Sequence, residues 1–139
     1  MKVNVKPIKV KFEGEVILID IAKELAINEN IMTSQLSESP LNYYLLCRIR
    51  DKYIKKRDII AQERDQAYNQ AWTYLKDSND RWNNDYVTSK AKVNKKYLSL
   101  VQKYLRMADK ASMFIALCRA YEDRANILRT LNANLRKSL

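Results

Sequence analysis

YVTSKAKVNKKYLSLVQKYLRMADKASMFIALCRAYEDRANILRTLNANLRKSL, residues 86–139, is the stretch whose reading decides the fold. It contains neither Gly nor Pro, and apolar residues recur at Val101, Tyr104, Leu105, Ala108, Ala111, Ile115, Cys118, Tyr121, Ala125, Leu128, Leu131 and Leu135. Steps of three and four place these side chains on one face of a long helix. A helix capped by Ser89 and running to Arg136 would extend roughly 70 Å, more than a chain of this size covers by itself. The seam of Val101, Leu105, Ala108, Ile115, Cys118, Leu128, Leu131 and Leu135 is therefore expected to meet other copies of the chain.

The same stretch carries twelve basic and three acidic side chains, the acids being Asp109, Glu122 and Asp123. Its first part, Lys90, Lys92, Lys95, Lys96, Lys103 and Arg106, holds no acid at all. Over the whole chain of 139 residues, 26 Lys and Arg face 16 Asp and Glu, a net charge of +10. The imbalance is local: residues 1–38 carry five basic and six acidic groups, so the positive field belongs to residues 39–139. A surplus of this kind favours nucleic acid or an anionic membrane surface.

Upstream, Val3, Val5, Ile8, Val10 and Phe12 alternate with polar residues, Glu13-Gly14 offers a turn, and Val16-Ile17-Leu18-Ile19 follows. Period two with β-rich residues predicts a small hairpin. Gly14, the only glycine, suits a backbone conformation that a Cβ resists. Asp20 to Ile31 reads as a short helix with Asp20 as N-cap and Ile21, Leu25 and Ala22 turned inward. Ser39-Pro40 then resembles an N-cap followed by N1. The spacing predicts a second long helix from Pro40 to about Lys76, with Leu46, Ile49, Tyr53, Ile60, Ala67 and Tyr74 at heptad intervals.

Lys56, Glu63 and Gln70 fall on that same stripe. Either the stripe drifts and these side chains lie at its margin, or they fix register between subunits. The run Asp77-Ser78-Asn79-Asp80 and then Asn83-Asn84-Asp85 is a turn signal, long enough for the two helices to fold back antiparallel.

The composition narrows the chemistry. Without histidine the chain lacks the usual acid/base at neutral pH and the commonest nitrogen metal ligand. With one glycine it has no Gly-rich phosphate loop, and Cys47 and Cys118 lack the spacing of a zinc site. Both cysteines sit among apolar neighbours and read as buried, reduced thiols. No catalytic residue, metal or cofactor is expected, and the absence of a signal-peptide core or bilayer-length apolar run points to the cytoplasm. Binding remains. Tyr68, Trp72, Tyr74, Trp82 and Tyr86 near the turn interleave with Lys76, Arg81, Lys90 and Lys92, a mixture suited to single strands, since bases stack on rings while cations follow phosphates. The same aromatics would equally serve to close the end of the helical core. In the run Lys55-Lys56-Arg57, nearby Asp51, Asp58 and Glu63 offer neutralisation.

Tyr97-Leu98 through Arg119, Arg124-Ala125-Asn126-Ile127-Leu128-Arg129 and Leu131 resemble the C-terminal helix of the UvsY family of T-even phage recombination mediators, whose pattern ends in Arg-Gly-x-x-Ile-Lys. Ile19-Asp20 with Leu25, and Pro40-Leu41 opening a helix that ends in Trp72 and Tyr74, resemble that family's front half. The resemblance covers most of the chain. It implies a non-enzymatic, ring-forming homo-oligomer that binds single-stranded DNA and helps a RecA-like recombinase displace the single-strand-binding protein. Two positions depart from the pattern: Ala125 replaces the family Gly, and Asn69, Gln70 and Ala71 stand where the family has a basic pair.

The expected fold is mainly α: two long antiparallel helices forming an oligomeric helical assembly, with a small N-terminal β-rich arm in residues 1–38 and the helical region in 39–139. The expected nucleic-acid contacts are Lys90, Lys92, Lys95, Lys96, Lys103, Arg106, Arg81, Lys76 and Trp82. The expected partners are single-stranded DNA, a RecA-like recombinase, single-strand-binding protein and further copies of the chain, in the cytoplasm of an infected bacterial host. The alternative is an oligomeric adaptor whose basic face docks an acidic protein. A membrane-surface role is disfavoured, because the long helices lack a clear Trp/Phe/Leu insertion face.

Overall fold

In a computed structural model, residues 6–26 and 32–138 are described, with side chains described from residue 41 onward in the second stretch. The elements are β1 (Ile8–Phe12), β2 (Glu15–Ile19), α1 (Ile21–Leu25), α2 (Met32–Ser78), α3 (Asn84–Ala91) and α4 (Lys95–Ser138). Two long helices and a two-stranded antiparallel sheet are the architecture the periodicities predict. Two compact units are formed: one comprises Met1–Arg50 with Met113–Leu139, the other Asp51–Ser112.

In the first unit, β1 pairs antiparallel with β2, Ile8 opposite Ile19 and Val10 opposite Ile17. Glu13 and Gly14 both adopt positive φ, 51° and 80°. That is the backbone of a two-residue turn whose twist matches the strands it joins. Alternation sends Val10, Phe12 and Ile19 inward, while Val16 and Leu18 stay exposed. Asp20 caps α1 by accepting the Lys23 amide at 3.2 Å. Ile21 and Leu25 are half-buried, but Ala22 is exposed. Val3, Val5 and the expected continuation of this helix to Ile31 lie outside the described residues.

The core of this unit adds Leu46 and Ile49 from α2 and Phe114, Leu117, Cys118, Tyr121, Ala125 and Leu128 from α4. Tyr43 stacks on Tyr121, ring centroids 6.2 Å apart, and its hydroxyl donates to Glu122. That hydrogen bond holds the Tyr43 phenol above its ordinary pKa. Arg124 is buried, its Nε donating to the Ala26 carbonyl and its guanidinium 5.2 Å from the Tyr121 ring centroid. A buried cation is tolerated when it is hydrogen-bonded and faces a ring.

The start of α2 differs from the expectation at Ser39-Pro40. The helix already runs from Met32, so Pro40 lies inside it and leaves one rung of the backbone ladder without a donor. A Ser-Pro pair is a helix-start signal only where no helix precedes it.

In the second unit, α2 ends at Ser78, and Lys76 Nζ closes the following turn by donating to the Trp82 carbonyl at 2.6 Å. Asn83 Oδ1 accepts the Tyr86 amide at 2.8 Å and caps α3. The single helix expected from Ser89 is therefore two. Ser89 lies within α3 and donates to the Asp85 carbonyl, and Asn94 caps α4 by accepting the Tyr97 amide at 3.0 Å. Within this unit Tyr68 meets Tyr97, Arg64 meets Tyr104 and Tyr53 meets Lys110, so residue numbers fall on one helix as they rise on the other. That pairing makes the segments antiparallel here. Ala67 of α2, Val87 and Ala91 of α3, and Leu100 and Ala111 of α4 are buried in this unit.

Candidate nucleic-acid interface

The basic residues singled out in the sequence separate into two groups. Lys90, Lys92, Lys95, Lys96, Lys103 and Arg106 are all exposed on α3, the turn after it, and α4. Two helix caps set their order: Asn83 fixes where α3 starts, and Asn94 redirects the chain between Lys92 and Lys95. Arg81 is exposed in the turn. Lys76, by contrast, is half-buried and spends its ammonium on the Trp82 carbonyl.

The aromatics are mostly occupied by the fold. Trp72 donates from Nε1 to Thr88 Oγ1 at 3.2 Å, tying α2 to α3. Tyr68 packs tilted against Tyr97, centroids 5.4 Å apart. Half-buried Trp82 meets Tyr86 edge-on at 4.7 Å, and Lys90 lies 5.5 Å from the centroid of the Tyr86 ring. Tyr74 is the most exposed of this group, at 72%, and borders a depression formed with Asn69, Gln70, Thr73 and Asp77.

The polar stripe on α2 lies at the margin of the interhelical contact. Lys56, Glu63 and Gln70 are all exposed. Glu63 and Gln70 line a depression of about 250 Å³ together with Gln66, Ala67, Lys96 and Leu100. Lys96 thus stands across the groove from the stripe. Arg57 and Arg64 pair with the adjacent Asp58 and Asp65 at 3.0 and 3.1 Å, so these two cations are partly neutralised locally.

A cluster that the sequence reading did not assemble surrounds Tyr53. The ammonium groups of Lys52, Lys56 and Lys110 lie 5.7, 5.8 and 5.6 Å from the centroid of this buried ring. Lys110 is distant in sequence from the other two, and only the antiparallel register brings it there. The available signal was Lys56, which with Glu63 and Gln70 interrupts the apolar stripe of α2.

The seam assigned to assembly is divided as well. In the first unit Cys118 and Leu128 are buried by the chain itself, Ile115 and Leu131 are half-buried, and Leu135 is 48% exposed. In the second, Val101 and Ala108 are half-buried and Leu105 is 56% exposed. Burial pushes the Cys118 thiol up to about 11, and Cys47, a half-buried free thiol, adds to the effect. Among the described residues no group of three or more His, Cys, Asp or Glu is placed to hold a metal, and no helix is long and apolar enough to cross a membrane.

No protein-family model and no curated protein matches the sequence. Among solved structures, the fold is similar to that of the bacteriophage T4 recombination mediator protein UvsY, with a TM-score of 0.71 and 11% identity over 86% of this chain and 93% of that one.

Proposed function

We propose that the chain is a non-enzymatic recombination mediator that binds single-stranded DNA as a homo-oligomer and helps load a RecA-like recombinase onto strands covered by single-strand-binding protein. The setting is the cytoplasm of an infected bacterium. The observation that carries the reading is the run of six exposed cations, Lys90, Lys92, Lys95, Lys96, Lys103 and Arg106, on a fold similar to that of a phage recombination mediator. Each cation contributes a weak, sequence-independent phosphate contact, and assembly of several copies sums them along one strand. The exposed leucines of α4, Leu105 and Leu135, supply apolar surface for assembly.

Fluorescence anisotropy with labelled oligonucleotides tests this. Single strands should bind more tightly than duplexes of the same length at moderate salt, and Lys92, Lys95 and Lys96 replaced together by Ala should weaken binding across sequences. Absence of a single-strand preference would sink the reading. The internal packing of Trp72 and Trp82 favours one alternative, an adaptor whose basic face docks an acidic protein. Equal affinity for DNA and heparin would select it.

A further inference from the structure

We propose that Lys52, Lys56 and Lys110 form a phosphate-binding collar around Tyr53, a contact point for the nucleic-acid backbone additional to the Lys90–Arg106 face. The inference rests on the single-strand-binding reading and names a site within it. Three ammonium groups lie within 5.8 Å of one ring centroid, so any two are within about twice that distance of each other. The ring face attracts each of them, but they repel one another, and at an exposed site a cation–π contact is worth only about 0.5–1 kcal/mol. Among the described residues, Lys56 and Lys110 make no ion pair. An ammonium that faces a ring still has N–H donors left for a second partner. An anion seated beside the ring relieves the repulsion and takes the donors that Lys56 and Lys110 have left.

The register argues for a phosphodiester strand as that anion. Lys96, Lys103 and Lys110 are spaced by seven residues, so they recur along one face of α4 at intervals of about 10.5 Å. Lys96 borders the groove shared with Gln70 and Glu63, and Lys110 and Lys56 both approach the Tyr53 ring. The stripe Lys56, Glu63, Gln70 on α2 and the stripe Lys110, Lys103, Lys96 on α4 therefore run side by side in opposite senses, and of these six residues Glu63 alone is acidic. Lys96 belongs to the basic face already described. The collar is thus the far end of a track that starts there, and a chain of regularly repeated negative charges is the ligand that fits a track. Tyr53 is buried, so its ring is a fixed platform for the ammonium groups that face it.

The test measures the salt dependence of binding to a labelled single-stranded oligonucleotide by anisotropy, for the full chain and for Lys110→Gln, Lys56→Gln, Lys110→Arg and Lys55→Gln. Lys55 is exposed on the same helix and does not face the ring, so it controls for net charge. Loss of one phosphate contact lowers the slope of log K against log salt by about 0.7 and the affinity by about fivefold near 0.1 M salt. Lys110→Gln and Lys56→Gln should each show this, Lys110→Arg should retain binding, and Lys55→Gln should change it by less than twofold. Equal losses for Lys55→Gln and Lys110→Gln would overturn the collar. Unchanged binding in both collar variants, with weakened binding in the Lys92, Lys95, Lys96 triple variant, would overturn the collar and leave the single-strand reading standing. If the unaltered chain ignores the oligonucleotide but binds poly-glutamate through Lys110, the site docks acidic protein, and both nucleic-acid assignments fall. Circular dichroism of each variant confirms that the helices persist.

Discussion

The Arg64 guanidinium lies 4.5 Å from the centroid of the Tyr104 ring, joining α2 to α4 inside the unit that carries the basic face. The side chain also pairs with Asp65 at 3.1 Å, but Asp65 is exposed and that pair is worth little. The ring contact should dominate. A double-mutant cycle with Arg64→Ala and Tyr104→Leu, read by denaturant unfolding, is expected to give a coupling of about 0.5–1 kcal/mol. A coupling indistinguishable from zero would show that the two side chains are only neighbours.

Asn94 separates α3 from α4, and its side chain takes an amide that would otherwise lack a partner. Asn94→Ala should cost about 1 kcal/mol, Asn94→Asp should retain most of the stability, and Asn94→Gly should cost only a few tenths. Thermal unfolding monitored at 222 nm orders the three. Because the same cap sets the spacing between Lys92 and Lys95, Asn94→Ala should also weaken DNA binding at temperatures where the fold persists.

The hairpin turn places a residue with a Cβ, Glu13, at φ 51° before Gly14 at φ 80°. Asn tolerates the left-handed region better than Glu, and Asn-Gly is the favoured pair for such a turn. Glu13→Asn gives up the ion pair with Arg48 at 3.2 Å, whose partners are both largely exposed, so that loss is small. The net expectation is stabilisation by about 0.5 kcal/mol, against destabilisation by about 1 kcal/mol or more for Gly14→Ala. Matched thermal melts of both variants decide the sign. There is room for a Cβ at Gly14, so any cost arises from the backbone angle alone.

Cys118 gives a pH dependence. Burial first, and then Cys47, raise its folded-state value from 9.0 to about 11, which favours the neutral thiol in the fold. The stabilising contribution is complete below pH 9. It is lost as pH rises from 9 towards 11, where the unfolded chain releases the proton and the folded chain still holds it. Denaturant midpoints between pH 8 and 11 should therefore fall more steeply for the unaltered chain than for Cys118→Ala, although the variant is less stable at pH 8 because of the cavity. Parallel pH profiles would contradict the assignment.

The sequence carried the hairpin clearly, because alternation from Ile8 to Ile19 and the lone Gly14 agree with each other. It also carried the long apolar stripe, since Ala111, Cys118, Tyr121 and Leu128 recur at helical spacing and are buried. Two boundaries were hidden. Pro40 imitates a helix start inside α2, and the break at Lys92–Asn94 uses no Gly or Pro, only an Asn side chain standing in for ladder bonds. For the site, one-sided charge marked the exposed Lys90–Arg106 run, which needs no tertiary information. The roles of Lys76 and Trp82 in closing the turn, and the meeting of Lys56 with Lys110, depend on register between distant segments, and no local pattern records that.

Tight binding to one strand requires several copies to gather their basic faces along it. Native mass spectrometry of the chain, alone and with a single-stranded oligonucleotide, tests that most directly. The prediction is a defined multiple of the chain mass that takes up the oligonucleotide without falling apart. A folded monomer that stays monomeric at micromolar concentration, with or without the oligonucleotide, would contradict it.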